Sequence, residues 1–178
     1  MQTARPDVGR YDHTTIVLHW IVALLVAEQW IGAQMIDLFP RGPLRVDARS
    51  VHIVCGVLLA AALIIRVVWR ATRGRRLPPA DAGFLNVVAK ATHWTLYLLL
   101  ITMVLAGFSL AWARGDSLFN VVTIPAFDPN NKALPHELAE FHGAVAWVIL
   151  AVACAHAGAA LIHRFVWKDR VLQRMLLR

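Results

Sequence analysis

The feature that most constrains this chain is a set of four long apolar runs, each separated from the next by proline. They extend from about Thr14 to Phe39, Ser50 to Trp69, Leu85 to Ala113 and Glu140 to Trp167. Crossing a hydrocarbon core takes about 20 helical residues, and each run is long enough. Lipid offers no water to unpaired backbone groups, so each run must be a helix that satisfies its own amides. Pro40 and Pro43, Pro78 and Pro79, and Pro125, Pro129 and Pro135 mark the three connections. The expected fold is therefore all-α: an integral membrane four-helix bundle, with residues 1–178 forming a single domain. A hydrophobic content of 58% agrees, since soluble domains hold roughly 45–50%. No small-residue cleavage site precedes the first run, which is expected to stay in the mature protein.

Charge gives the orientation. With both termini and the second connection on one side, thirteen of the 18 Lys and Arg residues fall there, Arg5, Arg66, Arg70 and Arg178 among them. Only Arg41, Arg45, Arg49, Arg114 and Lys132 fall on the other side. The positive-inside rule then predicts a multi-pass protein of the bacterial inner membrane with cytoplasmic termini and a periplasmic segment from Arg114 to Ala139. The formal charge of +7 flanks hydrophobic segments and carries no aromatic-interleaved basic module, so the expected partner is membrane lipid and not nucleic acid. Cys55 and Cys154 both lie in apolar runs, which excludes a disulfide framework, and no C-x-x-C-H is present for covalent haem attachment.

Five of the eight histidines fall within the runs: His19, His52, His93, His142 and His156. Ionisable groups are expensive there and usually functional, although one alone can simply bond a neighbouring helix. His142 and His156 are fourteen residues apart, which puts them within about 40° on one helix face and about 21 Å apart along it. The first run enters from the cytoplasm and carries His19 near its start. The second enters from the periplasm and carries His52 near its start. Matching depth pairs His52 with His142 and His19 with His156. A closed zinc site wants four ligands, and neither pair is completed by an acid or a thiol. Two axial imidazoles suit a haem, so these four histidines are the candidate iron ligands of two non-covalent b haems. Gly56, Gly143 and the Ala155–Ala160 stretch supply small side chains for a flat macrocycle, or equally for close helix packing. Glu28, nine residues from His19, lies about 180° round its helix and off that stripe; a proton relay and a bond to a neighbouring helix are the two readings. Arg66, near the cytoplasmic end of the second run, can pair with a haem propionate.

The motifs L-H-W at Leu18–Trp20, H-I-V-C-G at His52–Gly56, H-W-T-L-Y at His93–Tyr97, A-H-A-G-A-A at Ala155–Ala160 and H-R-F-V-W-K-D at His163–Asp169 occur in an order and spacing that resembles the prokaryotic cytochrome b561 family. The resemblance covers essentially the full length. It implies four helices, two bis-histidine haems b (iron protoporphyrin IX) and electron exchange with quinone. A well-described member of the family oxidises superoxide at the periplasmic face and reduces ubiquinone near the cytoplasmic side. Others in the wider superfamily are cytochrome b subunits that relay electrons between quinone and a periplasmic redox partner. On the first reading, Arg49, Arg114 and Lys132 are the candidates for steering superoxide, although the outer face sums to −1 with its acids counted, so any attraction must be local. His163, Arg164, Trp167 and Lys168 are the candidates for holding a quinone head group or haem propionates. His93, without a partner histidine, is expected to hydrogen-bond near the inner haem or the quinone. A haem-free membrane scaffold is the remaining alternative. His13 and His136 are expected at the surface.

Overall fold

The computed structural model describes residues 9–80 and 82–177. Arg5 and Arg178, counted above among the inner basic residues, and the two ends of the expected domain lie outside the described residues. Four helices form an antiparallel bundle: α1 (His13–Ile36), α2 (Pro43–Thr72), α3 (Gly83–Arg114) and α4 (Ala133–Phe165). All four are long and apolar enough to cross a membrane. α1 packs chiefly on α2 and α3 on α4. Val22, Leu59, Ala62, Leu63, Leu100 and Ile149 meet in the buried centre. Leu24, Ile64, Leu98 and Trp147 point outward, as a bundle whose solvent is lipid requires.

Two expected breaks are helix starts. Pro43 opens α2 and Pro135 lies in the first turn of α4. Proline lacks an N–H, and the first turn of a helix has no intrahelical acceptor for one, so it is tolerated there. Both helices consequently start several residues earlier than hydropathy alone places them. Gly115, with φ of 68°, ends α3 in the left-handed region that glycine adopts without steric cost.

The two ends of the bundle differ. At the terminal end, Asp12 caps α1 by accepting the Thr15 amide at 2.9 Å and hydroxyl at 2.7 Å. It also accepts the Trp69 indole N–H and the Arg75 amide, each at 2.9 Å, and so clasps the start of α1 to the end of α2. The tail after α4 folds back beneath the bundle, where the Trp20 indole donates to Met175 O at 2.7 Å and Arg174 donates to Pro78 O at 2.8 Å. At the opposite end a small antiparallel hairpin, β1 (Ser117–Leu118) and β2 (Val122–Thr123), docks on α2. Ser50, fully buried, donates to Val46 O and Ser117 O and accepts the Phe119 amide at 2.8 Å.

Candidate functional site

Two pairs of imidazoles stand at two depths. His52 of α2 and His142 of α4 have ring centroids 6.3 Å apart, near the hairpin end. His19 of α1 and His156 of α4 have theirs 6.4 Å apart, toward the terminal end. An imidazole nitrogen binds a metal at about 2 Å and lies about 1.1 Å from its ring centre, so two rings on opposite sides of one metal stand about 6 Å apart. Both pairs meet that separation. In the hairpin-end pair, Nδ1 of each ring is buried without a hydrogen-bond partner, a condition that calls for an explanation in a native protein. Among the described residues no three His, Cys, Asp or Glu side chains are arranged to hold a metal ion by themselves. A haem, which brings four nitrogens of its own, fits such a donor set, whereas a closed zinc site does not. Around the pairs, an added Cβ at Gly143 or Gly158 meets nothing within 4 Å, whereas at Gly56 it meets the Gln29 amide at 2.9 Å. Gly143 and Gly158 thus border open space. Gly56 serves helix packing.

The terminal-end pair has further company. Arg66 reaches His19 Nδ1 at 2.9 Å, and its Nε donates to the Tyr97 hydroxyl at 3.1 Å. The His93 ring lies 5.2 Å from that of His156. Below them, His163 is seven residues past His156, hence about 10 Å further along the same face. It is buried, contacts the Asp169 carboxylate through Nδ1, and meets the Trp167 ring edge-on at 4.5 Å. Burial acts to raise the pKa of Asp169, but the hydrogen bonds from His163 and the Val171 amide outweigh it and hold the carboxyl below its ordinary range. Arg164 and Lys168 are exposed beside this cluster.

At the hairpin end, Arg49 and Arg114 converge on one buried carboxylate, Asp116, at 3.1 and 3.8 Å. Lys132 is exposed at the start of α4 and joins neither arginine. Asp116, Tyr97 and Gly107 are the site residues that sequence reasoning missed. Gly107 leaves room for His142, whose Cε1 lies 3.3 Å from where a Cβ would stand. The one available signal for Asp116 was its place directly after the helix-ending Gly115. Glu28 faces α2 and neighbours Cys55, with one carboxyl oxygen buried and unpartnered.

The pattern of prokaryotic cytochrome b561 matches residues 10–178. The chain belongs to this family. Cytochrome b561 homolog 1 of Escherichia coli (strain K12) is 32% identical, over 96% of this chain and 99% of that protein. Cytochrome b561 homolog 2 of the same organism is 30% identical, over 94% of this chain and 91% of its own length. The probable superoxide oxidase CybB of Yersinia pestis is 28% identical, over 94% and 96% respectively. As a cytochrome b561 family protein, the chain is a multi-pass membrane protein with a role in electron transfer across the membrane.

Proposed function

We propose that this cytochrome b561 family protein is a single transmembrane domain that binds two b haems, oxidises superoxide at the periplasmic face and reduces ubiquinone near the cytoplasmic face. His52 and His142 would hold one haem, and His19 and His156 the other. The observation that carries the reading is the near-equal ring separation, 6.3 and 6.4 Å, at two depths of one bundle. The excess of basic residues at the terminal end supports cytoplasmic termini. Similarity to a probable superoxide oxidase supports the donor. When bound, the haems supply one-electron redox chemistry that polypeptide side chains lack.

The chain's own residues set the two faces apart. Two superoxide anions each give up one electron and leave as dioxygen, while one ubiquinone takes up two electrons and two protons and leaves as quinol. Arg49 and Arg114, against the single charge of Asp116, leave one net positive charge within that cluster to attract an anion locally, on an outer face that sums to −1 as a whole. Lys132, exposed at the start of α4, would add to the attraction at longer range. At the inner end His163, Arg164, Trp167 and Lys168 offer an aromatic edge and donors to a quinone head group, and the His93 ring lies beside that of His156 at 5.2 Å.

A pyridine haemochrome assay should count two non-covalent haems per chain. Rapid mixing of the purified protein with a superoxide source should reduce them, and added ubiquinone should reoxidise them. Haems that stay oxidised with superoxide yet are reduced quickly by quinol would replace this reading with that of an electron-relay subunit.

A further inference from the structure

The two histidine pairs sit in unequal electrostatic surroundings, and one arginine makes the difference. Arg66 is half-buried inside the apolar length of α2, where a charge is costly and seldom kept without a role. It touches the ring of His19 and the Tyr97 hydroxyl. Among the described residues it pairs with no carboxylate, whereas Arg49 and Arg114 share that of Asp116. We propose that Arg66 is a positioning residue that raises the reduction potential of the His19–His156 site above that of the His52–His142 site, so that electrons settle at the quinone-reducing end. This rests on the haem ligation proposed above.

The reasoning is one of charge. Adding an electron to a bis-imidazole iron site lowers its charge by one unit, so a fixed cation nearby favours the reduced form, most strongly where water is excluded. A guanidinium carries donors only, so its contact with His19 uses the lone pair on Nδ1. A ring that turns its other nitrogen to iron carries its proton on Nδ1, so that hydrogen bond is given up on ligation and Arg66 acts on the site through space, by its charge. Of the other cations at this end, Arg70 lies over the Tyr11 ring at 5.2 Å, beside the aqueous boundary where its field is screened, and Arg164 and Lys168 are exposed. His93 is the remaining titratable neighbour and faces His156. At the opposite end the arginine side chains are 30% and 34% exposed and share a buried anion, which weakens their field at His142.

The test is a spectroelectrochemical titration of the purified haem protein and of its Arg66→Gln and Arg66→Lys variants, with haem counted in each. The inner component is the one lost in His156→Ala. Arg66→Gln should keep two haems and shift the one-electron equilibrium between the sites at least tenfold toward the outer one, a fall of about 59 mV in the inner potential. Arg66→Lys, which keeps the charge but not the planar fork, should stay close to the parent. Both variants shifting alike, or neither shifting with two haems present, would overturn the proposal. Should Arg66→Gln lose its inner haem, Arg66→Lys decides: a parental inner potential supports the role of charge, and a tenfold shift refutes it. A parent protein without two haems would sink the ligation itself, and this inference with it.

Discussion

Asp116→Asn tests the outer end most directly, because one nearly isosteric change should have two opposite consequences. The Asp116 side chain is 5% exposed and lies 3.1 Å from Arg49 and 3.8 Å from Arg114. At an effective dielectric constant of about 20, contacts of these lengths are each worth roughly 4–5 kcal/mol before desolvation is counted. Removing one partner of a buried ion pair costs about 3–5 kcal/mol, but both arginines are about a third exposed and water would take up part of the loss, so about 2–3 kcal/mol is expected. Thermal unfolding in detergent, followed by tryptophan fluorescence, measures this. The same change raises the local charge from +1 to +2. An added unit charge about 8 Å from an approaching anion in water is worth about 0.5 kcal/mol, so superoxide should react about twofold faster at low salt. That gain should vanish well above physiological ionic strength, where the Debye length falls below about 8 Å. A stability loss under about 0.5 kcal/mol would refute the view of Asp116 as a shared anchor. A rate that fails to rise at low salt, or a rise that survives high salt, would refute the steering argument.

Other changes follow from single contacts. His52→Ala and His142→Ala should each remove the same spectral component, and His19→Ala and His156→Ala the other; a loss shared by His19 and His142 variants would break the depth pairing. Ser50→Ala strands the Phe119 amide and should cost about 1–3 kcal/mol, with faster proteolytic cleavage between residues 115 and 132 as the readout. Asp12→Ala removes a helix cap and two further bonds, and should cost about 1–2 kcal/mol or somewhat more. Burial acts to raise the Asp12 pKa, but hydrogen bonds from the Thr15 hydroxyl, the Arg75 and Thr15 amides and the Trp69 indole outweigh it and leave the carboxyl well below its ordinary 3.8. A depressed carboxyl stabilises the fold fully above its unfolded pKa and loses that contribution as pH falls through the lower folded value. Parent and Asp12→Ala unfolding should therefore differ by a constant amount from pH 5 to 7, and converge only well below pH 4. A difference that instead changes between pH 5 and 7 would contradict the assignment.

The parts of this molecule legible in its sequence are those fixed by one-dimensional periodicity. Helix length, the alternation of direction across the membrane and the 3.6-residue turn suffice to put His52 at the depth of His142 and His19 at that of His156, because a membrane fixes the axis along which depth is counted. Proline misled at Pro43 and Pro135 for a local reason: the residue that breaks a helix interior is welcome in a first turn, and composition alone does not tell the two apart. The hairpin of residues 117–123 has strands of two residues, too short for any alternation to show.

Asp116 and Tyr97 were missed for a different reason. Each matters through a contact with a side chain far off in sequence, Asp116 with Arg49 and Tyr97 with Arg66. Such contacts depend on how α2 turns its polar residues toward α3 and its loop, which hydropathy does not specify when all sides of a helix are apolar. The same limit explains Arg66. Its place near a helix end reads as a partner for a haem propionate or as interfacial anchoring, because long basic side chains at such ends commonly reach for water. In the folded chain it turns inward to His19 instead. An arginine that turns from the available water to face an imidazole gives up solvation, which its contacts with His19 and Tyr97 offset in part. On the role proposed above, its replacement by glutamine should move the inner potential more than it moves stability.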